Sequence, residues 1–93
     1  MVVGMLRVEP HLPWALSLKD KRSVLKSLKD QMRGRFNVAV SELDPSQKWQ
    51  RASLRVATVG GNRQAVEGCL RHVVEWMQTN RFIELIRVEQ EFF

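Results

Sequence analysis

The apolar residues of this 93-residue chain change their period in a fixed order, and that order limits the fold more than any other feature. The period is two, then that of a helix, then two and two again, then helical, then two. "VVGMLRVEPHL" alternates: Val2, Leu6, Val8 and Leu12 fall on one face, with Arg7, Glu9 and His11 on the other. This predicts a half-buried strand whose pairing loosens towards Pro10, which has no N–H to give. After the loop "PWALS", Leu18, Leu25, Leu28, Met32 and Phe36 recur at spacings of 7, 3, 4 and 4, one apolar stripe of a helix. Ser17 is its expected N-cap, Asp20 stands three residues on, and Gly34 is expected to stop it.

"FNVAVSEL" is the next strand, with Val38 and Val40 inward, and "DPSQK" turns the chain. "WQRASLRVATV" alternates again, placing Ala52, Leu54, Val56 and Thr58 on one side and Arg51, Ser53, Arg55 and Ala57 on the other. In "GGN" the chain turns and Asn62 can cap a second helix that buries Val66, Cys69, Leu70, Val73 and Met77. "IELIRVEQEFF" closes the chain as a strand with Ile86, Val88 and Phe92 inward, and Arg87, Glu89 and Glu91 outward.

Strand–helix–strand, twice over, with right-handed crossovers, puts both helices on one face of one sheet. The expected architecture is therefore α+β, the ferredoxin-like β-α-β-β-α-β plan: a four-stranded antiparallel sheet with its other face open. One domain over residues 1–93 suits the length. Hydrophobic content of 44% and charged content of 27% argue against wholesale disorder. No apolar run reaches the ~18 residues of a membrane span, and the N-terminus reads as no signal peptide. Cys69 is the single cysteine, so no internal disulfide forms, which suits a reducing cytoplasm.

The charge is not spread evenly. Ser17 to Phe36, "SLKDKRSVLKSLKDQMRGRF", holds seven of the 15 basic residues and two of the 10 acidic ones. The rest of the chain is balanced, so the net charge of +5 resides in this segment. On a helical wheel Lys19, Arg22, Lys26, Lys29 and Arg33 share one flank of the apolar stripe, within about 80°. Asp20 and Asp30 fall with Ser23 and Ser27 on the outermost face, away from that flank. Like charges at i, i+4 cost a few tenths of a kcal/mol each, so the clustering points to an external anion. Stems snorkelling over the core rim are the competing account. Lys21 points into the apolar sector, where it pairs with a Glu, meets a loop carbonyl or reaches the sheet end.

Catalytic chemistry is thinly supported. No Cys or His cluster has metal-ligand spacing, and no cofactor is expected. Cys69 reads as a core thiol. Glu89 and Glu91 share a strand face, as solvent-facing alternating charge does. "VGGNRQ" reads as a turn with an Asn cap, lacking the Lys of a phosphate loop. No Ser, His and acid set suggests a nucleophilic triad. An acylphosphatase-like enzyme wants an arginine-bearing loop after the first strand, and "HLPWALS" has none. The open sheet face lacks the aromatic rings on which an RNA-recognition motif stacks bases. Its mix of Arg and Glu suits cross-strand ion pairs or a self-complementary dimer surface. Trp14 and Trp49 either seal the ends of the core or offer aromatic contacts.

"SLKDKR", "RFNVAVSELD" and "WQRASLRVA", in this order and spacing, resemble the YlxP-like family of small bacterial proteins, a domain of unknown function. The resemblance covers nearly the whole chain and rests on Ser17, Leu18, Lys19, Lys21, Arg22, Phe36, Asn37, Glu42, Trp49, Arg51 and Ala52. It implies the ferredoxin-like fold and a bacterial cytoplasmic protein, whose genes often lie among those for translation initiation and ribosome maturation. It brings no catalytic residue.

The expectation is a non-enzymatic cytoplasmic protein that associates with RNA or a ribosomal subunit. Lys19, Arg22, Lys26, Lys29 and Arg33 would contact phosphate, helped by Lys21, Arg51 and Arg55. The alternative is a protein-interaction or homodimerisation module that uses the open polar sheet face.

Overall fold

The computed structural model describes residues 1–43 and 50–93. Its elements follow the predicted order: β1 (Val2–His11), α1 (Leu18–Arg35), β2 (Ala39–Glu42), β3 (Leu54–Gly60), α2 (Arg63–Gln78) and β4 (Glu84–Phe92). The strands form one antiparallel sheet in the order β2-β3-β1-β4, with β1 and β3 central. Together these make the ferredoxin-like fold. The turn "DPSQK" and Trp49 lie outside the described residues.

Both helices pack on the sheet face that carries Leu6, Val8, Leu54 and Val56, all fully buried. α1 contributes Leu25, Leu28 and Met32, and α2 contributes Val66, Leu70, Val73 and Met77. Each such side chain stabilises the fold by about 1.5–3 kcal/mol, which is why the apolar periods dictate the architecture. The caps sharpen the helix starts: Ser17 Oγ accepts from Asp20 N–H at 3.1 Å, and Asn62 Oδ1 from Ala65 N–H at 2.8 Å. The Asp20 carboxylate in turn accepts from Leu16 N–H at 3.0 Å.

α1 does not stop at Gly34; it runs to Arg35, and Phe36 takes the extended conformation as its C-cap. Phe36 packs on the core and meets Trp76 edge-on, with ring centroids 6.0 Å apart. Tertiary packing, rather than the glycine, sets the end.

β4 also departs from simple alternation. Its register with β1 shifts between Glu9 and Pro10, so that Val88 pairs with Val8 but Leu85 with Pro10. The extra residue, Ile86, is left at a bulge and 45% exposed, while Leu85 packs on the core in its place. Val88 keeps to the helix face but is 39% exposed, and Phe92 is half-buried against the core. Cys69, expected in the core, is half-buried, its Sγ 3.9 Å from Thr58 Oγ1. Trp14 ties the first loop to the chain before β4: its indole N–H donates to the Phe82 carbonyl at 2.6 Å.

Candidate nucleic-acid interface

The sequence places seven cations in and beside α1, and the structure divides them by what each meets. Lys21 is inside: its Nζ lies 3.8 Å from Glu42 Oε2 with the side chain 4% exposed. Of the fates open to it in sequence, pairing with a glutamate is one it meets. The expectation that it helps contact phosphate is corrected, because burial beneath the first turn holds the ammonium within the fold.

Asp30 is the second correction. Its carboxylate is not remote from the basic flank: Oδ2 accepts from Lys26 Nζ at 3.1 Å, and Oδ1 lies 3.5 Å from Arg33 Nη1. A helical wheel fixes where a Cβ points, not where a long side chain ends. Arg33 also donates through Nη2 to the Val40 carbonyl at 2.8 Å, laying its guanidinium against β2. Arg35 turns to the other helix, its guanidinium carbon 5.5 Å from the centre of the Trp76 ring.

Three cations of the flank remain. Lys19 and Arg22 are exposed and Lys29 is half-buried, and none forms an ion pair with a described residue. Arg22 lies one turn beyond Lys19 and Lys29 two turns beyond Arg22, with the Asp30-bound Lys26 and Arg33 completing a row at one-turn steps. Such a row can take successive phosphates of a polyanion, or be solvated.

Arg51 and Arg55 lie elsewhere. Both belong to the open face of the sheet, opposite the helices, so the structure does not bring them to the α1 flank. The rows of that face follow from the register. At one end Val3 stands between Val59 and Phe93. Next come Ala39, Ala57, Met5 and Glu91, then Ser41, Arg55, Arg7 and Glu89. At the far end Arg51, His11 and Glu84 line up.

Arg87 pairs with Glu89 along β4 at 3.2 Å and with Glu9 across to β1 at 3.9 Å, and His11 Nδ1 lies within hydrogen-bond reach of Glu84 Oε2 at 3.4 Å. The centre is different. Arg7 is directly opposite Arg55. Arg55 Nη1 donates to Ser53 Oγ at 2.9 Å, whereas the buried Arg7 Nε has no hydrogen-bond partner among the described residues. Sequence reasoning named Arg7 as a face residue but did not single it out; the cross-strand register is the missing signal.

A groove of about 450 Å³ lies between the middle of α1 and the segment that follows α2. Ser23, Ser27, Gln31 and Asn80 line it together with Val24, Leu28, Thr79, Arg81 and Phe82, and among the described residues no carboxylate, imidazole or thiol reaches it. Among the described residues no group of three His, Cys, Asp or Glu is placed to hold a metal ion, and no helix is long and apolar enough to cross a membrane.

Comparison with known proteins agrees with the motifs. The chain is 33% identical over 92 residues to the uncharacterized protein YlxP of Bacillus subtilis strain 168, covering 99% of this chain and 100% of that protein. The family model described as a protein of unknown function, DUF503, matches residues 3–90. The chain belongs to the DUF503 family, whose function is not known.

Proposed function

We propose that this chain is a non-enzymatic cytoplasmic protein that binds RNA, alone or within a ribosomal subunit, through the basic flank of α1. The observation that supports this most is that Lys19, Arg22 and Lys29 meet no carboxylate among the described residues, on a helix that carries the whole net charge of the protein. Lys26 and Arg33 extend the row while sharing Asp30. Phosphate-contacting cations placed along one side of a helix give sequence-tolerant, salt-dependent binding. The resemblance to a family whose genes often lie among those for translation initiation and ribosome maturation favours RNA among polyanions.

The test is fluorescence anisotropy with a structured ribosomal RNA fragment over a salt series. Affinity should fall log-linearly with salt. A Lys19/Arg22/Lys29→Gln triple variant should lower the slope by about 2 to 3, since each phosphate contact contributes about 0.7–0.9. Binding that ignores salt, or a triple variant that binds as the parent does, overturns the reading. Co-sedimentation with ribosomal subunits at low and high salt then asks where such RNA resides.

A second reading is supported by the pair Arg7 and Arg55 at the centre of the open face, where an acidic group from a partner protein would meet two guanidinium groups. Loss of partner capture in Arg55→Glu, with RNA affinity unchanged, would favour it.

A further inference from the structure

The two edges of the sheet are finished differently. β2 has only four residues, and Arg33 donates into its Val40 carbonyl. Leu43 N–H, in the same phase as Ser41 and Ala39, bonds inward to Ser53, so Val40 turns its carbonyl to the open edge that Arg33 covers. β4 has nine residues, Glu84–Phe92, with neither Lys nor Pro among them.

The phase of β4 is set at its end. Val3 N–H donates to Phe93 O at 3.1 Å and Phe93 N–H to Val3 O at 2.8 Å, so these two form a hydrogen-bonded pair. The register is unbroken from Gly4 and Phe92 to Glu9 and Arg87. Hence Glu91, Glu89 and Arg87 turn their backbone groups to β1, while Phe92, Gln90 and Val88 turn theirs outward. The open edge thus presents a row of backbone donors and acceptors, beside the exposed side chains of Val88 and Ile86. Left bare, such an edge is a template for another strand.

The charges of β4 say which strand fits. Arg87 and Glu89 flank Val88. An antiparallel second copy of β4, with a two-fold axis at Val88, sets Arg87 opposite the partner's Glu89 and Glu89 opposite the partner's Arg87. The apolar Val88 meets the partner's Val88 on the axis. Moving the axis to Gln90 instead opposes Glu89 to the partner's Glu91, which gathers like charges. Moving it to the bulged Ile86 leaves Arg87 opposite the partner's Leu85. The pattern therefore selects one register.

We propose that a second copy of this chain adds to the β4 edge about a two-fold axis at Val88, making one continuous antiparallel sheet from two. The axis stands perpendicular to the sheet, so all four helices lie on the same face and the interface is isologous. Within each copy Arg87 already bridges Glu89 and Glu9, and the partner's Glu89 completes that network across the axis. This inference is independent of what the α1 flank binds.

Sedimentation equilibrium of the full chain over a concentration series tests it, with circular dichroism to confirm folding. The parent should dimerise. Arg87→Glu, which opposes carboxylates at both symmetric positions, should raise the dissociation constant about tenfold or more. The double variant Arg87→Glu/Glu89→Arg should restore it. Val88→Pro removes an outward N–H without touching the ladder to β1, and should abolish the dimer while leaving the fold intact. A parent that is monomeric throughout overturns the proposal. So does a dimer indifferent to both changes, one that the double variant does not recover, or one broken by Arg55→Glu on the open face.

Discussion

Lys21 Nζ lies 3.8 Å from Glu42 Oε2, which joins the first turn of α1 to the end of β2 in a region where the lysine is buried. A cation from the most basic segment of the chain is thus part of the fold rather than of the surface. Lys21→Met keeps the stem volume and removes the charge, leaving a partly exposed Glu42 to rehydrate. Stability should fall by about 1–2 kcal/mol, less than for breaking a fully buried pair. Thermal melting reads this as a loss of about 4–8 °C per kcal/mol for a domain of this size. RNA affinity and its salt slope should stay at parental values in Lys21→Met and drop in Lys29→Met. A matching drop in both would return Lys21 to the surface.

Asp30 holds Lys26 and Arg33 at the same carboxylate, and so sets how much of the basic flank faces outward. Exposed i, i+4 pairs are worth little to folding, so Asp30→Asn should change stability by no more than about 0.5 kcal/mol. It should nevertheless tighten RNA binding and steepen the salt dependence by about 1 to 2, as two cations become available to phosphate. Anisotropy at several salt concentrations checks this. An unchanged slope would show that Lys26 and Arg33 do not reach the RNA.

The architecture was legible because burial enforces period: Leu6, Val8, Leu54, Val56, Val66 and Leu70 had to share one side of their elements, and fully buried residues leave few ways to do so. Ser17 and Asn62 were legible as caps because short oxygen-bearing side chains before an apolar helix have one common use. Ile86 was not, since a bulge exchanges the faces of a strand without altering its alternation; Pro10 on the neighbouring strand was the one hint. The α1 flank was legible as a row of Cβ directions, but the hold of Asp30 on it depends on flexible side-chain ends. Arg7 opposite Arg55 depends on a register between two strands far apart in sequence.

Gly4 lets α2 approach β1. A Cβ there would collide with Val66 Cγ1 and lie 3.0 Å from Leu70 Cδ1, both on the buried face of the helix. Gly4→Ala should therefore cost about 1–3 kcal/mol, the usual range for overpacking. Gly34 offers the contrast. It sits in the last turn of α1, and an added Cβ meets nothing within 4 Å. Gly34→Ala should stabilise by about 0.5–1 kcal/mol through helix propensity alone. Denaturant midpoints of the two variants should move in opposite directions. Equal shifts would remove the close helix–sheet approach from the account.

Arg7 and Arg55 face each other across the two central strands, an arrangement that folding alone does not favour. Arg55 is compensated by Ser53 Oγ and, at 3.4 Å, by the Leu54 carbonyl, but Arg7 Nε is buried without a partner among the described residues. Arg55→Thr removes the like-charge contact, installs a good strand former and lets Arg7 turn towards Glu89, its neighbour on β4. Stability should be unchanged or gain up to about 1 kcal/mol, where loss of a hydrogen-bonded half-buried arginine would ordinarily cost about as much. Added salt screens the repulsion and should narrow the difference between parent and variant. A loss of more than about 1 kcal/mol at low salt would show that the bonds of Arg55 outweigh the repulsion. The pair would then be structural, and the case for an acidic partner at the centre of the sheet would lose its support.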